Sequence, residues 1–386
     1  MNTHRRINRA APIRAAFLWT NRAIYERLLR PLIFRSTAQQ AHERVVRALR
    51  WSDAVSGLPL IMSGLHRLAL APTEITIGGV QLDSPLILAA GLIKGDGFEN
   101  EAAALSAVTQ GHNIIPGWRG LSRLAGPVEF GSFTRWPRLG NEGIVVWRDV
   151  PTRSTQNRVG LRNPGTLAAA EFLAAHQKHL PAQYGINISV SPGVDDPGQQ
   201  RDEVLAALRM FLERGLRPLW FSLNLSCPNT QDDPRGYQTA EAAEHVCGAL
   251  VEELRTHSPL IPLWVKVGPN LGDDQYRGLL RACASTGVQA IIATNTQPEP
   301  SPTDPALMAG VGGGRLHARA VEVVRLLVQE KTAQAYPVDV IGCGGVLDGT
   351  SYRDFASLGV SVVQYWSALI YRGPLAAASI LDEAGT

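Results

Sequence analysis

From about residue 75 onward this chain alternates short apolar runs with longer amphipathic stretches, and few folds accommodate that rhythm. Eight runs recur, at 86–92, 127–133, 185–190, 219–226, 262–268, 290–296, 337–343 and 361–367. Most are rich in Val, Ile or aromatic residues and end in Gly, Asn, Thr or Ser, as buried strands do. Helical patterns lie between many of them, for example at 201–214, 240–255, 274–285 and 319–332. Strands joined through helices pair in parallel. Eight such units in about 300 residues predict an α/β fold, a (β/α)8 TIM barrel. An open doubly wound sheet is the alternative. No GxGxxG follows the first run, which counts against a dinucleotide-binding version of it.

The first 70 residues have a different character. They hold 12 arginines, no lysine and three acids (Glu26, Glu43, Asp53), a net of +9 in a chain whose total is +3. Two units are therefore expected: a basic helical segment over 1–70 and the barrel over 71–386. Ile24, Leu28, Leu29, Leu32 and Ile33 recur at helical spacing, with a break expected at Pro31. A second amphipathic helix is expected over 38–52, and 58–70 is again apolar. No run reaches 18 apolar residues, so no spanning helix is expected. A basic, amphipathic, Trp-containing segment can lie on an anionic membrane surface; a helical cap packed on the body is the competing reading. Residues 1–25 lack acids and so also have the character of a targeting segment, though Arg14 and Arg22 interrupt any secretory apolar stretch. Four distant cysteines without a CxxC pair indicate neither a zinc nor an iron–sulfur site, and no metal is expected. The basic segment lacks a nucleic-acid-binding motif.

In a barrel of this kind the active site forms at the C-terminal ends of the strands. Read in order, those ends supply Lys94, Ser132 with Thr134, Asn187, Asn224 with Cys227 and Asn229, Lys266, Thr294-Asn295-Thr296, Cys343-Gly344-Gly345 and Trp366-Ser367. Asparagine is depleted in strands, so three of them on one rim point to a ligand with many donors and acceptors. Gly344, Gly345 and Ser367 follow the seventh and eighth runs, where barrels bind phosphate; a tight turn is the bland reading of any one glycine pair. Lys266 lies inside an apolar run, where an unpaired charge is costly. It serves either a salt bridge or an electron-accepting ring whose reduction builds negative charge. Cys227 sits in a polar Ser-Cys-Pro-Asn loop and can act as a base. Cys247, Cys283 and Cys343 lie in apolar patterns and read as core thiols.

Together these positions resemble the dihydroorotate dehydrogenase family, from about Ile24 to the C-terminus. The matching motifs are Arg30-Pro31-Leu32-Ile33-Phe34 with Ala41-His42-Glu43, then Ala89-Ala90-Gly91-Leu92-Ile93-Lys94 and Gly131-Ser132-Phe133-Thr134. Further along are Asn157-Arg158-Val159-Gly160-Leu161, Gly185-Ile186-Asn187-Ile188, Asn224 to Thr230, Val265-Lys266, Thr294-Asn295-Thr296 and Ile341 to Gly345. The resemblance implies that Ala90, Gly91, Ser132, Asn187, Lys266, Thr294, Gly314, Gly344, Gly345, Trp366 and Ser367 hold FMN. It implies that Lys94, Asn157, Asn224, Asn229, Asn295 and Thr296 hold dihydroorotate, with Cys227 as base. The N-terminal extension resembles the quinone-linked class 2 branch. It implies a membrane quinone as electron acceptor, no iron–sulfur subunit, and a peripheral position on the cytoplasmic face of a bacterial inner membrane. Another dihydropyrimidine or a soluble acceptor is the alternative. The chain also departs from the class 2 pattern. Cys227 stands where serine is usual in that branch, as in class 1. Ile93 replaces an acid, Leu161 an aromatic and Trp366 a tyrosine, and residues 107–125 read as an insertion.

Overall fold

A computed structural model describes residues 11–225 and 239–385. Its centre is a closed barrel of eight parallel strands: Leu86–Leu88, Val128–Phe133, Tyr184–Ser189, Trp220–Asn224, Leu263–Val267, Ala290–Ala293, Asp339–Cys343 and Val363–Tyr365. Each falls within or overlaps one of the eight apolar runs, in order around the barrel. Nearly every strand residue is buried, because side chains facing outward meet helices and those facing inward meet each other. That double burial is why the strands read as continuous apolar runs rather than as alternation. The helices expected between them are Pro197–Glu213, Ala240–His257, Asp273–Thr286 and Gly314–Gln334.

The N-terminal end of the barrel is closed by a hairpin, Ile75–Ile77 paired with Val80–Leu82. Its Gly78 carbonyl accepts a hydrogen bond from Trp264 Nε1 at 3.0 Å, and Trp264 stacks on Trp220 with ring centroids 4.6 Å apart. Gly185 is dictated by this floor: a Cβ there would meet the Trp220 ring at 2.0 Å. The opposite end carries a four-stranded antiparallel sheet in the order Gln297–Pro300, Met308–Gly313, Ser154–Asn157, Val146–Asp149.

Four helical segments precede the barrel: α1 (Ala11–Ile24), α2 (Arg30–Phe34), α3 (Ala38–Ala54) and α4 (Leu58–Ala69). The break expected at Pro31 does not occur. A π-helical turn, Tyr25–Leu29, links α1 to α2, and Arg30 N–H bonds to Tyr25 O five residues back. This wider turn takes the chain to Pro31 in the first turn of α2, where a missing N–H costs little. The chain turns instead before α3, which Thr37 and Gln40 begin with reciprocal capping bonds.

These helices are tied to the body by buried and partly buried polar contacts. Tyr25 packs against Gly373, where a Cβ would lie 2.6 Å from its ring, and donates to the Ile370 carbonyl at 2.8 Å. Arg22 pairs with Glu383 at 2.5 Å. Asp53, at the end of α3, accepts from the backbone N–H groups of Gly117, Arg119 and Gly120 and from the Asn113 amide, at 2.7–3.2 Å. The 107–125 stretch is thus the dock for α3. Burial nevertheless raises the Asp53 pKa, with the hydrogen bonds opposing it. Asp53→Ala would orphan four donors and is expected to cost about 3 kcal/mol or more. Urea unfolding would measure that loss, and faster proteolysis between α3 and α4 would locate it.

Candidate active site

The C-terminal ends of the strands, the antiparallel sheet above them and α3 enclose one cavity. The first strand leads into Ala90, Gly91 and Lys94, all in its wall. The second, third, fourth and fifth strands contribute Ser132, Asn187, Asn224 and Lys266. The sixth is followed by Thr294, Asn295 and Thr296. The seventh leads into Gly344 and Gly345, and the eighth into Trp366 and Ser367. Asn157 enters from the antiparallel sheet. Cys227 and Asn229 lie outside the described residues. Gly314 does not line the cavity. It opens the helix Gly314–Gln334, and a Cβ there would meet the Thr152 carbonyl at 2.2 Å, so close packing accounts for that glycine.

Two polar groupings organise the wall. The first is a chain of amides. Asn224 Nδ2 donates to Ser132 Oγ at 3.3 Å, Asn295 Nδ2 to Asn224 Oδ1 at 3.3 Å, and Thr296 N–H to Asn295 Oδ1 at 2.8 Å. The second runs through the barrel interior. Lys266 Nζ donates to Gln364 Oε1 at 2.8 Å, and Gln364 Nε2 donates to Glu129 Oε2. Asn187 Nδ2 donates to Glu129 Oε1 at 2.6 Å. Glu129, Gln364 and Asn187 are 0% exposed and Lys266 6%. Lys266 is therefore both structural, through this bridge, and open to the cavity.

Glycines gather near Ser367. A Cβ on Gly312 would lie 3.6 Å from Ser367 Oγ, and one on Gly345 would meet the Gly313 carbonyl at 2.6 Å. Thr155 Oγ1 lies 3.1 Å from Ser367 Oγ. Backbone N–H groups, hydroxyls and the absence of Cβ atoms suit an anion there. The residues also fit a flavin mononucleotide on a second ground: the buried Asn187 Oδ1 has no hydrogen-bond partner among the described residues, although Asn187 lines the cavity.

Sequence reasoning missed several lining residues. Thr155 and Gln156 arrive on the antiparallel sheet, and Gln364 is one residue in a run read only by its end. Glu129 carried the same signal as Lys266, a charge inside an apolar run, and was overlooked. Cys343 was read as a core thiol; it is buried but also lines the cavity. Burial pushes its thiol pKa up, against the pull of Lys266. Cys247 and Cys283 are fully buried and do not line the cavity, and burial raises both thiols, Cys283 to about 12.

His42, on α3, reaches the wall from the N-terminal segment. Burial, then Lys94 and Arg162, lower its pKa to about 4, with Glu43 opposing. The unfolded chain, with His near 6.5, binds this proton more readily. Neutral His42 therefore contributes stability that is full above about pH 6.5 and lost as pH falls toward 4. His42→Gln is expected to reduce the stability lost between pH 7 and 4.5 by on the order of 2 kcal/mol. Urea melts at the two pH values would show it; equal losses in both proteins would remove His42 as the cause.

Residues 73–385 match the family described as "Dihydroorotate dehydrogenase". Among curated proteins, three named "Dihydroorotate dehydrogenase (quinone)" are similar along nearly the whole chain. That of Leifsonia xyli subsp. xyli is 30% identical over 373 residues, covering 92% of this chain and 97% of its own. That of Chloroflexus aurantiacus is 31% identical over 363 residues, covering 90% and 92%. That of Chromobacterium violaceum is 29% identical over 361 residues, covering 90% and 94%. Among solved structures, the DHODH of Eimeria tenella in complex with ferulenol superposes with a TM-score of 0.64 at 22% identity, over 86% of this chain and 90% of that one. That likeness concerns the fold.

Proposed function

The chain belongs to the dihydroorotate dehydrogenase family, and from that premise we propose that it oxidises dihydroorotate to orotate in pyrimidine synthesis, using FMN and passing electrons to a membrane quinone. The carrying observation is one cavity that combines two lysines, a chain of asparagine amides and a glycine-rich anion cradle. When bound, FMN supplies the hydride acceptor. Gly344, Gly345, Ser367, Thr155 and the glycines at 312 and 313 would hold its phosphate. Lys266 and Asn187 would face the ring, Lys266 as a cation and Asn187 as an acceptor, with Ala90, Gly91, Ser132, Thr294 and Trp366 completing the wall. Asn157, Asn224, Asn295 and Thr296 would orient the amide edges of dihydroorotate, and Lys94 its carboxylate. Cys227 would take the ring proton, aided by Asn229; both assignments rest on the family motif.

The division at residue 70 separates α1–α4 from the barrel, and these helices are the proposed membrane-facing unit. Ile13, Trp19, Leu28, Leu32, Trp51 and Leu60 are each more than half exposed there. Among the described residues no helix is long and apolar enough to cross a membrane. In this reading the exposed apolar side chains make a peripheral contact with the cytoplasmic face of a bacterial inner membrane. The double variant Leu28→Glu/Trp51→Glu is expected to reduce binding to anionic vesicles about tenfold or more, with flavin reduction by dihydroorotate unchanged. Vesicle co-sedimentation checks it; equal binding would move the contact elsewhere.

The activity itself is tested by mixing the protein anaerobically with dihydroorotate and following the visible flavin absorbance. Bleaching that a quinone reverses is the expected result. Bleaching that only a soluble oxidant reverses would replace the acceptor. A bound flavin that never bleaches would overturn the substrate.

A further inference from the structure

We propose that Glu129 is a positioning residue that sets the hydrogen-bonding polarity and net charge of the wall facing the flavin ring. This inference rests on the FMN reading of the cavity and concerns a side chain that does not itself line it.

An ammonium only donates. Gln364 must therefore turn its oxygen to Lys266, 2.8 Å away, which leaves its NH2 for the other side. There it meets Glu129 Oε2. The second carboxylate oxygen, Oε1, takes the NH2 of Asn187 at 2.6 Å. One carboxylate thus fixes two amides, and each amide then presents its oxygen away from Glu129. For Gln364 that oxygen holds Lys266. For Asn187 it is the buried Oδ1 that lacks a partner among the described residues.

The consequence is a wall with a defined pattern. Asn187 offers an acceptor, Lys266 offers a cation, and neither amide can invert without setting its oxygen against the Glu129 carboxylate or, for Gln364, its NH2 against the ammonium as well. The four residues come from the second, third, fifth and eighth strands, so the pattern is held by the barrel rather than by a loop. It selects a planar ligand edge that has an N–H donor and a group that becomes electron-rich. It also limits the field at that edge, because the buried carboxylate offsets the buried ammonium through a single amide. Two linked opposite charges bind a neutral oxidised ring without overstabilising the anionic reduced form.

Glu129→Gln removes the charge and adds a competing NH2 with little change of shape. In the full-length protein, apoprotein titrated with FMN is expected to bind the oxidised cofactor about tenfold or more weakly. The bound flavin's potential, read by equilibration with a reference dye, is expected to rise. A tenfold shift in favour of the reduced form corresponds to about 30 mV for a two-electron couple. Glu129→Asp keeps the charge but shortens the reach to both amides, so affinity should fall while the potential stays near that of the parent.

Lower affinity and melting temperature in both variants with an unmoved potential would mean a purely structural role and would overturn the proposal. Parent-like affinity and potential in Glu129→Gln would overturn it too, while leaving the FMN site standing. A parent protein that binds no FMN would overturn the site reading itself. If Glu129→Gln yields no folded apoprotein, Gln364→Met cuts the same link. It is expected to weaken FMN binding at least fivefold and to move the potential; no change in either would refute the link.

Discussion

Replacing Cys227 by alanine is expected to slow flavin reduction by dihydroorotate about 10²- to 10⁴-fold, the usual worth of a positioned base, with FMN affinity preserved. The residue lies outside the described part of the chain, so the expectation comes from its motif. It stands three residues beyond Asn224, whose amide belongs to the hydrogen-bonded chain in the cavity. Anaerobic stopped-flow separates the two quantities, because cofactor content is measured before substrate is added. Cys227→Ser sharpens the test. A free thiol ionises near pH 8.5, and a hydroxyl only far above that. The serine variant should therefore retain part of the rate with its pH profile displaced upward. A serine variant with the parent profile, or an alanine variant with the parent rate, would assign the proton to another group.

Lys266→Met has the second large expected effect, and it acts on stability as well as chemistry. In the parent, the Lys266 ammonium is bridged through Gln364 to Glu129. Methionine approximates the stem but leaves Glu129 buried with no counter-charge. Breaking one side of a buried pair costs about 3–5 kcal/mol. FMN binding should weaken strongly as well, because the cation facing the ring is gone. Double substitution Lys266→Met/Glu129→Gln should recover part of the stability but not the flavin affinity. Denaturant melts and FMN titration on the same preparations check both parts. Recovery of neither would mean that the two charges are not energetically linked.

The barrel was legible because parallel strands buried on both faces leave an unmistakable apolar run, and eight of them occur in order. Lys266 was legible for the converse reason: it breaks such a run. Glu129 breaks one in the same way, within the second strand rather than at its end. The antiparallel sheet was illegible on physical grounds. Gln297–Pro300 contains two prolines, which an edge strand tolerates because its outer N–H positions need no partner. Met308–Gly313 is half glycine, and neither segment alternates. Gly312 and Gly313 are paired strand residues in the cavity wall, a role that a glycine run does not announce. Pro31 misled for a local reason, since a π-helical turn is not encoded by spacing. His42 was noticed only as part of a motif, because helical spacing places it on no particular face of the body.

That antiparallel sheet also fixes when in the life of the chain the site can exist. Its central pairing joins Asn157 to Gly310 and Ser154 to Gly313, segments about 150 residues apart. Pairings so distant in sequence form late, since loop-closure entropy must be overcome before they contribute. During synthesis, the Ser154–Asn157 strand leaves the ribosome long before its partner and must wait while four barrel strands are made. A nascent chain ending before Met308 has most of the cavity's amides and both lysines but lacks the central strand of the sheet that covers them. The cavity is thus a product of late synthesis, and premature termination yields fragments without an enclosed site.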